Sequence, residues 1–287
     1  MAVSPAARLA VVVLSLGLRH AAEVARAAPP DAPYSDPVAV CEVTDPRIRE
    51  ASGLAASRRH PGLLYVHNDS GNPPHVYVLD RGGRVRATIE LDGARNVDWE
   101  DIALAPSEHP ERFDVCVADI GDNQARRREI VIYRFAEPEL PAAAAAPASQ
   151  PDGAAAPPSG PAPQGTKGRS AASLPRSAPG ELALRIRPSA YRFRYEDGAH
   201  DAEGFAVHPR TGDGYVFIKQ PDGRGRVYRI AAPWDDQQTT TLKSVAALRF
   251  PETLPVAKVV TAADISPDGR RLAMRSYACG WEWELPD

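Results

Sequence analysis

Short runs that alternate apolar and polar residues recur along the chain, separated by turns rich in Pro, Gly or Asp. Four segments align with one another, and they begin at Ser52, Glu100, Glu203 and Ala263. Each reads as a short apolar strand, a turn and a second strand with the two-residue period of a half-buried strand. Three continue into further strand-like runs: HVYVLD with RVRATIEL, then IVIYRF, then RVYRIAA. The pattern predicts an all-β chain built from a repeated unit.

The spacing of the repeat favours a β-propeller of four-stranded blades. Once residues 141–180 are set aside, the units recur about every 40 to 60 residues, which is the range of propeller blades. At about 45 residues per blade the chain has room for about four to five blades, and the last hairpin stands at the end of the sequence. We therefore expect an incomplete ring. A β-sandwich with similar hairpins is the alternative.

The first 27 residues read as a signal peptide. The uncharged run LAVVVLSLGL follows Arg8 and is too short to span a bilayer, and Ala25-Arg26-Ala27 forms an A-x-A cleavage site. We expect a secreted or periplasmic protein without a stable membrane anchor, because no cysteine closely follows the apolar run. The alternative is an apolar N-terminal helix of a cytosolic protein.

Composition divides the mature chain into three parts. Residues 141–180 are nearly all Ala, Pro, Gly and Ser, and such a stretch cannot bury enough apolar area to offset its ordering entropy. We interpret it as a disordered insertion between a first set of blades, residues 28–140, and a second set, residues 181–287.

The net charge argues against one class of partner, and the cysteine content argues against one class of fold. The formal net charge of −3 argues against nucleic acid as a partner. Three cysteines are too few for a disulfide scaffold. Export would permit a disulfide between Cys41 and Cys279, which lie near the two ends of the mature chain, and the sequence leaves that pairing open.

Carboxylates and amides fall at equivalent places in the repeats. In a blade, the start of the first strand and the end of the second lie on the same face, so these groups should gather around the channel. Crowded carboxylates repel one another, and a divalent cation with oxygen ligands relieves the repulsion, which favours Ca²⁺. The alternative is that Asp, Asn and Gly here are ordinary turn residues. The predicted metal ligands are Asp98, Glu100, Asp119, Asn123, Asp201, Glu203 and Asp264.

The same face carries candidates for substrate binding and proton transfer. Lys219 and Arg275 could hold an anionic group beside the metal, with Asn68 nearby. His67 and His200 are candidate general bases, the alternative being that they are plain surface histidines.

Several strings carry a family resemblance: HNDSG, DWED, DIGDN, DAEG, and TAADISPDG with RSY. From Glu42 to Tyr277 the chain resembles secreted bacterial propeller proteins related to the esterase-like domain of phytase. It is also loosely similar to gluconolactonase and strictosidine-synthase-like propellers. That second similarity implies a catalytic divalent ion in the channel, with Glu100, Asn123 and Glu203 at the analogous positions. Members of the first group usually have a further blade with a QGE-like segment, which this sequence lacks.

Two classes of function follow. One is a metal-dependent hydrolase of a phosphoester or lactone, in which the ion polarises the substrate or activates water. The other is a non-catalytic exported propeller that binds a protein or glycan. The fold alone does not decide between them, because propellers serve both purposes.

Overall fold

The structure is a computed structural model that describes residues 8–10, 39–109, 111–140, 180–220, 225–248, 250 and 255–285. Its secondary structure is β-strand apart from one 3-10 helix, which confirms the prediction of an all-β chain. Most of the predicted signal peptide and all but the last residue of the predicted insertion lie outside the described residues. In chain order the elements are β1 (Arg8–Ala10), β2 (Ala51–Ala56), β3 (Leu64–Asn68), β4 (His75–Leu79), β5 (Val85–Leu91), β6 (Trp99–Pro106), β7 (Phe113–Asp119), β8 (Ile130–Ala136), β9 (Leu182–Ile186), β10 (Ser189–Tyr195), β11 (Ala202–Val207), β12 (Gly214–Ile218), β13 (Arg226–Ile230), β14 (Thr240–Ala247), the 3-10 helix (Pro255–Lys258), β15 (Val260–Ile265), β16 (Arg271–Ser276) and β17 (Gly280–Glu284).

Four antiparallel meanders follow one another along the chain. Meander 1 comprises β2–β5, meander 2 comprises β6–β8 with β10, meander 3 comprises β11–β14, and meander 4 comprises β15–β17. The first two strands of each meander coincide with one of the four repeats found in the sequence. Among the described residues, no helix has the length and apolar character that crossing a bilayer requires.

Two strands that follow the insertion enlarge the sheets beyond the predicted four strands. β9 joins the outer edge of meander 1, parallel to β5, with Leu91 opposite Ile186. β10 then pairs antiparallel with β8 and parallel with β14, where Phe193 stands opposite Thr240. Meanders 2 and 3 therefore share one eight-stranded sheet, and the described strands form three sheets in place of four.

The chain is anchored to meander 1 on both sides of the insertion. Leu140 is buried, and its backbone N–H donates to Nε2 of His60 at 3.3 Å. The carboxylate of Glu181 accepts hydrogen bonds from Arg47 and from the Thr88 hydroxyl, both at 2.7 Å. The insertion thus leaves and re-enters the fold at fixed points.

Apolar residues fill the spaces between successive meanders, because alternate residues of each strand face a neighbouring sheet. Trp99 and Cys116 are both fully buried. One cluster joins meanders 1 and 2, a second joins meanders 2 and 3, and a third joins meanders 3 and 4. Representative members are Val76, Ile89, Trp99 and Val117 in the first, Ile132, Phe193, Phe205 and Tyr228 in the second, and Phe217, Val260, Met274 and Trp281 in the third.

A buried carboxylate adds a polar link among three meanders. Oδ2 of Asp101 on β6 accepts the backbone N–H groups of Phe205 at 2.9 Å and Ala263 at 3.0 Å. Burial raises the pKa of Asp101 to about 8, although the backbone donors act in the opposite direction. These bonds hold the first strands of meanders 2, 3 and 4 together around one side chain.

The two outer faces of this stack differ. On meander 1, Val66, Tyr77 and Leu79 form a small apolar cluster with Ile48, from the segment that precedes β2. On meander 4 the outward face is polar and carries an ion pair between Arg271 and Glu282 at 3.7 Å.

The backbone of β1 pairs antiparallel with β17, with Leu9 opposite Trp281. β1 lies inside the predicted signal peptide, so the strand belongs to a segment that processing would remove.

Candidate metal centre

A β-bulge interrupts the first strand of every meander at the same point. The register shifts after the first residue pair in each case: between Ala51 and Leu54, Trp99 and Asp101, Ala202 and Gly204, and Val260 and Ala262. A bulge leaves a residue unpaired and re-aims its side chain, and bulges are over-represented next to active sites. The residues at the bulges are Ser52 with Gly53, Glu100, Glu203 and Thr261.

This register corrects the sequence alignment in meander 4. The sequence placed Ala263 with Glu100 and Glu203, whereas the bulge places Thr261 there. The shift of two residues arose because the fourth repeat has no acidic residue at the bulge to align. It also moves Asp264 further along β15, away from the position of the bulge.

Three carboxylates come together where meanders 1 and 2 meet. Asp69 directly follows β3, Asp98 directly precedes β6, and Glu100 stands at the bulge of β6. One carboxylate oxygen from each lies within 4.8 Å of the others, a spacing that could hold a metal ion. Asp98 and Glu100 were predicted as ligands, and Asp69 was missed.

The loop that carries Asp69 is held by side chains around it. The Asn96 amide donates to the backbone oxygen of Asp69 at 2.8 Å and to that of Asn68 at 3.1 Å. The Asn72 amide donates to the same Asp69 oxygen at 3.1 Å. The Asp69 N–H donates to the backbone oxygen of Glu50 at 2.9 Å. Asp69 is thereby positioned before any ligand binds.

Gly121 closes one side of this group of carboxylates. Its N–H donates to the backbone oxygen of Asp98 at 3.1 Å. A Cβ atom at this position would lie 2.6 Å from Oδ2 of Asp98 and would also collide with Oε1 of Glu100. A side chain at this position would therefore force the carboxylates of Asp98 and Glu100 to shift from their present places.

Crowding and burial disfavour ionisation of this group. Burial raises the pKa of Glu100 to about 10, and the charges of Glu203 and Asp69 add to the shift. The pKa of Asp98 is also raised, first by burial and then by Asp69 and Asp201. A bound cation would reverse both effects, because it favours the ionised form of each ligand.

Glu203 and Asp201, two further predicted ligands, face a cation of the protein itself. The Lys219 ammonium forms an ion pair with Glu203 and lies 3.9 Å from Oδ2 of Asp201. Burial acts to lower the pKa of Lys219, but the pair with Glu203 outweighs it and the pKa is raised. Glu203 stands beside the carboxylate group without belonging to it.

The remaining predicted ligands lie outside the group. Asp119 is buried and bonded to Arg127 at 2.7 Å, and it accepts the N–H of Asp98 at 3.1 Å, so it supports the start of β6. Asn123 is exposed in the loop after β7. Oδ1 of Asp264 accepts the N–H of Ile265 at 2.8 Å.

The predicted substrate-binding residues differ in how many hydrogen bonds they already form within the protein. The Asn68 amide accepts N–H groups from Arg49 at 3.0 Å and Glu50 at 3.2 Å, and it donates to the backbone oxygen of Arg47 at 2.7 Å. It therefore shapes the loop and has little capacity for a ligand. Nε of Arg275 donates to the Thr261 hydroxyl at 3.1 Å. Because that partner is neutral, the charge of Arg275 is not compensated there.

Neither candidate base forms a hydrogen bond with Asp69, Asp98 or Glu100 among the described residues. His67 is fully buried, packs edge-on against Trp99, and has its pKa lowered by burial. His200 bonds to Asp197 at 2.9 Å and to the Tyr228 hydroxyl at 3.1 Å. A role of either histidine as a general base stays a prediction.

Asp69 and Gly121 are the residues that sequence reasoning missed. Both lie in strings that were noted, HNDSG and DIGDN. They were not distinguished from turn residues, because Asp and Gly are the ordinary residues of tight turns.

The cysteines add no cross-link, since all three thiols are free in the structure.

Comparisons with known proteins identify no family. No family description matches the sequence, and no curated protein matches it either. Among solved structures, the chain has a distant similarity to one titled "Crystal Structure of Mitotic Checkpoint Complex", with 13% identity and a TM-score of 0.35. The match covers 83% of this chain and 51% of the other, so the chain spans about half the length of that protein. Similarity at this level identifies neither a family nor a function.

Proposed function

We propose that this is an exported β-propeller protein that binds a divalent cation at Asp69, Asp98 and Glu100. We further propose that the cation serves the hydrolysis of a phosphoester or lactone. The observation that carries the proposal is the meeting of three carboxylate oxygens within 4.8 Å, beside the Gly121 backbone, where a side chain would displace two of the three carboxylates.

The propeller assignment rests on repetition. The four meanders pack face to face in chain order, and each begins with a strand that bulges at its second residue or just after it. Meanders that contribute equivalent residues to one region are the usual way in which propellers build a central site. Export rests on the N-terminal sequence alone, and it implies a secreted or periplasmic location.

Ca²⁺ is the cation that the ligand chemistry favours. All three groups are carboxylates, and Ca²⁺ accepts irregular sets of six to eight oxygens, whereas Mg²⁺ demands a near-octahedral set. The ion would supply a Lewis acid for the substrate oxygen. The charge of Arg275, on meander 4, suits an anionic substrate because its side chain bonds to the neutral Thr261 hydroxyl, whereas Lys219 is paired with Glu203.

A second candidate is a non-catalytic protein that binds a protein or glycan ligand. The burial of His67 and the bonding of His200 to Asp197 favour it, because neither imidazole faces the carboxylates as a base. Both candidates share the cation site and differ only in turnover.

Thermal unfolding with and without Ca²⁺ tests the site. A ligand that binds only the folded state stabilises it by about 2.7 kcal/mol at 100 times its dissociation constant. Chelation should therefore lower the melting temperature, and added Ca²⁺ should restore it. The variant Asp69→Asn should lose this response, while the exposed Glu108→Gln should keep it.

A panel of chromogenic phosphoesters and lactones then separates the two candidates. Calcium-dependent turnover that Asp69→Asn abolishes supports the hydrolase. A calcium response without turnover supports the binding protein. A melting temperature that neither chelator nor Ca²⁺ changes would remove the basis of both.

A further inference from the structure

Meanders 2 and 3 begin with the same arrangement of carboxylates. Asp98 directly precedes β6, and Asp201 directly precedes β11. Glu100 and Glu203 stand at the bulges of these two strands. The strands are in the same register, because the first residue of each pairs with the last residue of the strand that follows it. Each meander therefore places one aspartate and one glutamate at equivalent positions.

A backbone hydrogen bond identifies the residue that lies beside each pair of carboxylates. In meander 2, the N–H of Gly121 donates to the backbone oxygen of Asp98 at 3.1 Å. In meander 3, the N–H of Lys219 donates to the backbone oxygen of Asp201 at 2.9 Å. Gly121 and Lys219 thus hold the same position, one in each meander.

The two residues bring different groups to the carboxylates. Gly121 brings no side chain, and even a Cβ atom there would lie 2.6 Å from Oδ2 of Asp98. Lys219 brings an ammonium, which forms an ion pair with Glu203 and lies 3.9 Å from Oδ2 of Asp201. Only 20% of the Lys219 side chain and 11% of the Glu203 side chain are exposed, so the ion pair is shielded from solvent. Meander 3 therefore supplies its own cation to a carboxylate pair that matches the pair in the candidate metal centre.

The ammonium changes the electrostatics of the equivalent glutamates. Burial raises the pKa of Glu203, and Lys219 acts in the opposite direction through its hydrogen bond and its charge. Burial also raises the pKa of Glu100, and there the charges of Glu203 and Asp69 increase the shift. Of the two glutamates, Glu203 is the one whose charge a side chain of the protein compensates, and Glu100 is the one that a bound cation would compensate.

We infer that Lys219 takes the place of a second divalent cation and so limits this face of the molecule to one such ion. The inference rests on the cation site proposed above. Ca²⁺ completes its set of oxygen ligands with water, so Asp201 and Glu203 would bind it if the space that Lys219 fills were open. Two-metal hydrolases hold the attacking and leaving oxygens between ions about 3.5–4 Å apart. The proposed hydrolase would instead work with a single ion.

Calorimetric titration of the intact protein with Ca²⁺ tests the inference by counting bound ions. The parent should bind one ion. Lys219→Ala should bind two, the second more weakly because two carboxylates hold it in place of three. The double variant Lys219→Ala/Glu203→Gln should bind one again. Lys243→Ala is the matched control: it removes an exposed lysine from β14, changes the net charge equally and should still bind one ion.

The outcomes separate this inference from the proposed function. One ion in both the parent and Lys219→Ala would overturn the inference and leave the proposed cation site intact, and two ions in the parent would also overturn it. A parent that binds no Ca²⁺ would contradict the proposed function. The inference would then hold only if Lys219→Ala gained an ion that Glu203→Gln removed. The melting temperature checks folding, and Lys219→Ser makes the same test if Lys219→Ala does not fold.

Discussion

At the scale of single residues, the candidate metal centre depends on a glycine as much as on its carboxylates. We expect Gly121→Ala to weaken the stabilisation by Ca²⁺, because the added methyl group would force the carboxylates of Asp98 and Glu100 to shift. The measurement is the calcium-dependent shift in melting temperature. Gly71→Ala is the control: Gly71 has φ of 74° with open space around it, so the variant should lose about 1 kcal/mol and keep the calcium response.

Glu100 should make the metal-free protein less stable as the pH rises. Its pKa lies near 10 in the folded state against an ordinary value of 4.5, so the folded state holds a proton that the unfolded state releases. Stability is then greatest below about pH 4.5 and declines toward pH 10. Urea unfolding in chelator at pH 5 and pH 8 measures this decline, and Glu100→Gln should reduce it, while the raised pKa of Asp101 maintains part of it. An equal decline in the variant would assign the pH dependence to other groups.

At the scale of elements, the two strands after the insertion matter more than the insertion itself. We expect replacement of residues 141–179 by about eight Gly/Ser residues to change the melting temperature by no more than a few degrees, because Leu140 and Glu181 keep their contacts. Extending the deletion through Glu181 should destabilise further, because Arg47 and Thr88 lose the Glu181 carboxylate and Arg47 keeps only Asp45 as an ionic partner. Thermal unfolding of both deletions makes the comparison. Equal melting temperatures for the two would show that the anchor is dispensable.

The positions of the strands could be predicted from the sequence, but part of the pairing between them could not. Alternation of apolar and polar residues located the first two strands of each meander, because each strand buries one or both faces against a neighbouring sheet. The parallel pairs of β9 and β10 join residues far apart in sequence, and no local pattern encodes such a partner. The same limit applies to the site. Asp98 and Glu100 could be found because DWED opens a strand, whereas Asp69 reaches them only through the packing of meander 1 on meander 2.

At the scale of the whole molecule, export predicts a defined N-terminus. We expect the exported protein to begin at Ala28, which N-terminal sequencing determines. Cleavage there removes β1 and leaves the backbone edge of β17 without the strand that pairs with it. A protein that retains Met1 after export would contradict the predicted cleavage.

The shared eight-stranded sheet has a consequence for how the protein reaches its native state. A chain that emerges N-terminus first presents β8 well before β10, because the insertion lies between them. Meander 1 likewise gains the strand at its outer edge only when β9 has been made. The strand that β14 pairs with is β10, which also pairs with β8. The pairs of β9 with β5 and of β10 with β8 can therefore form only after the chain beyond residues 141–180 has been made, whereas the other pairs of meanders 1 and 2 are local. Until β10 is available, the free edge of β8 is exposed, and an exposed strand edge is a site at which another chain can pair.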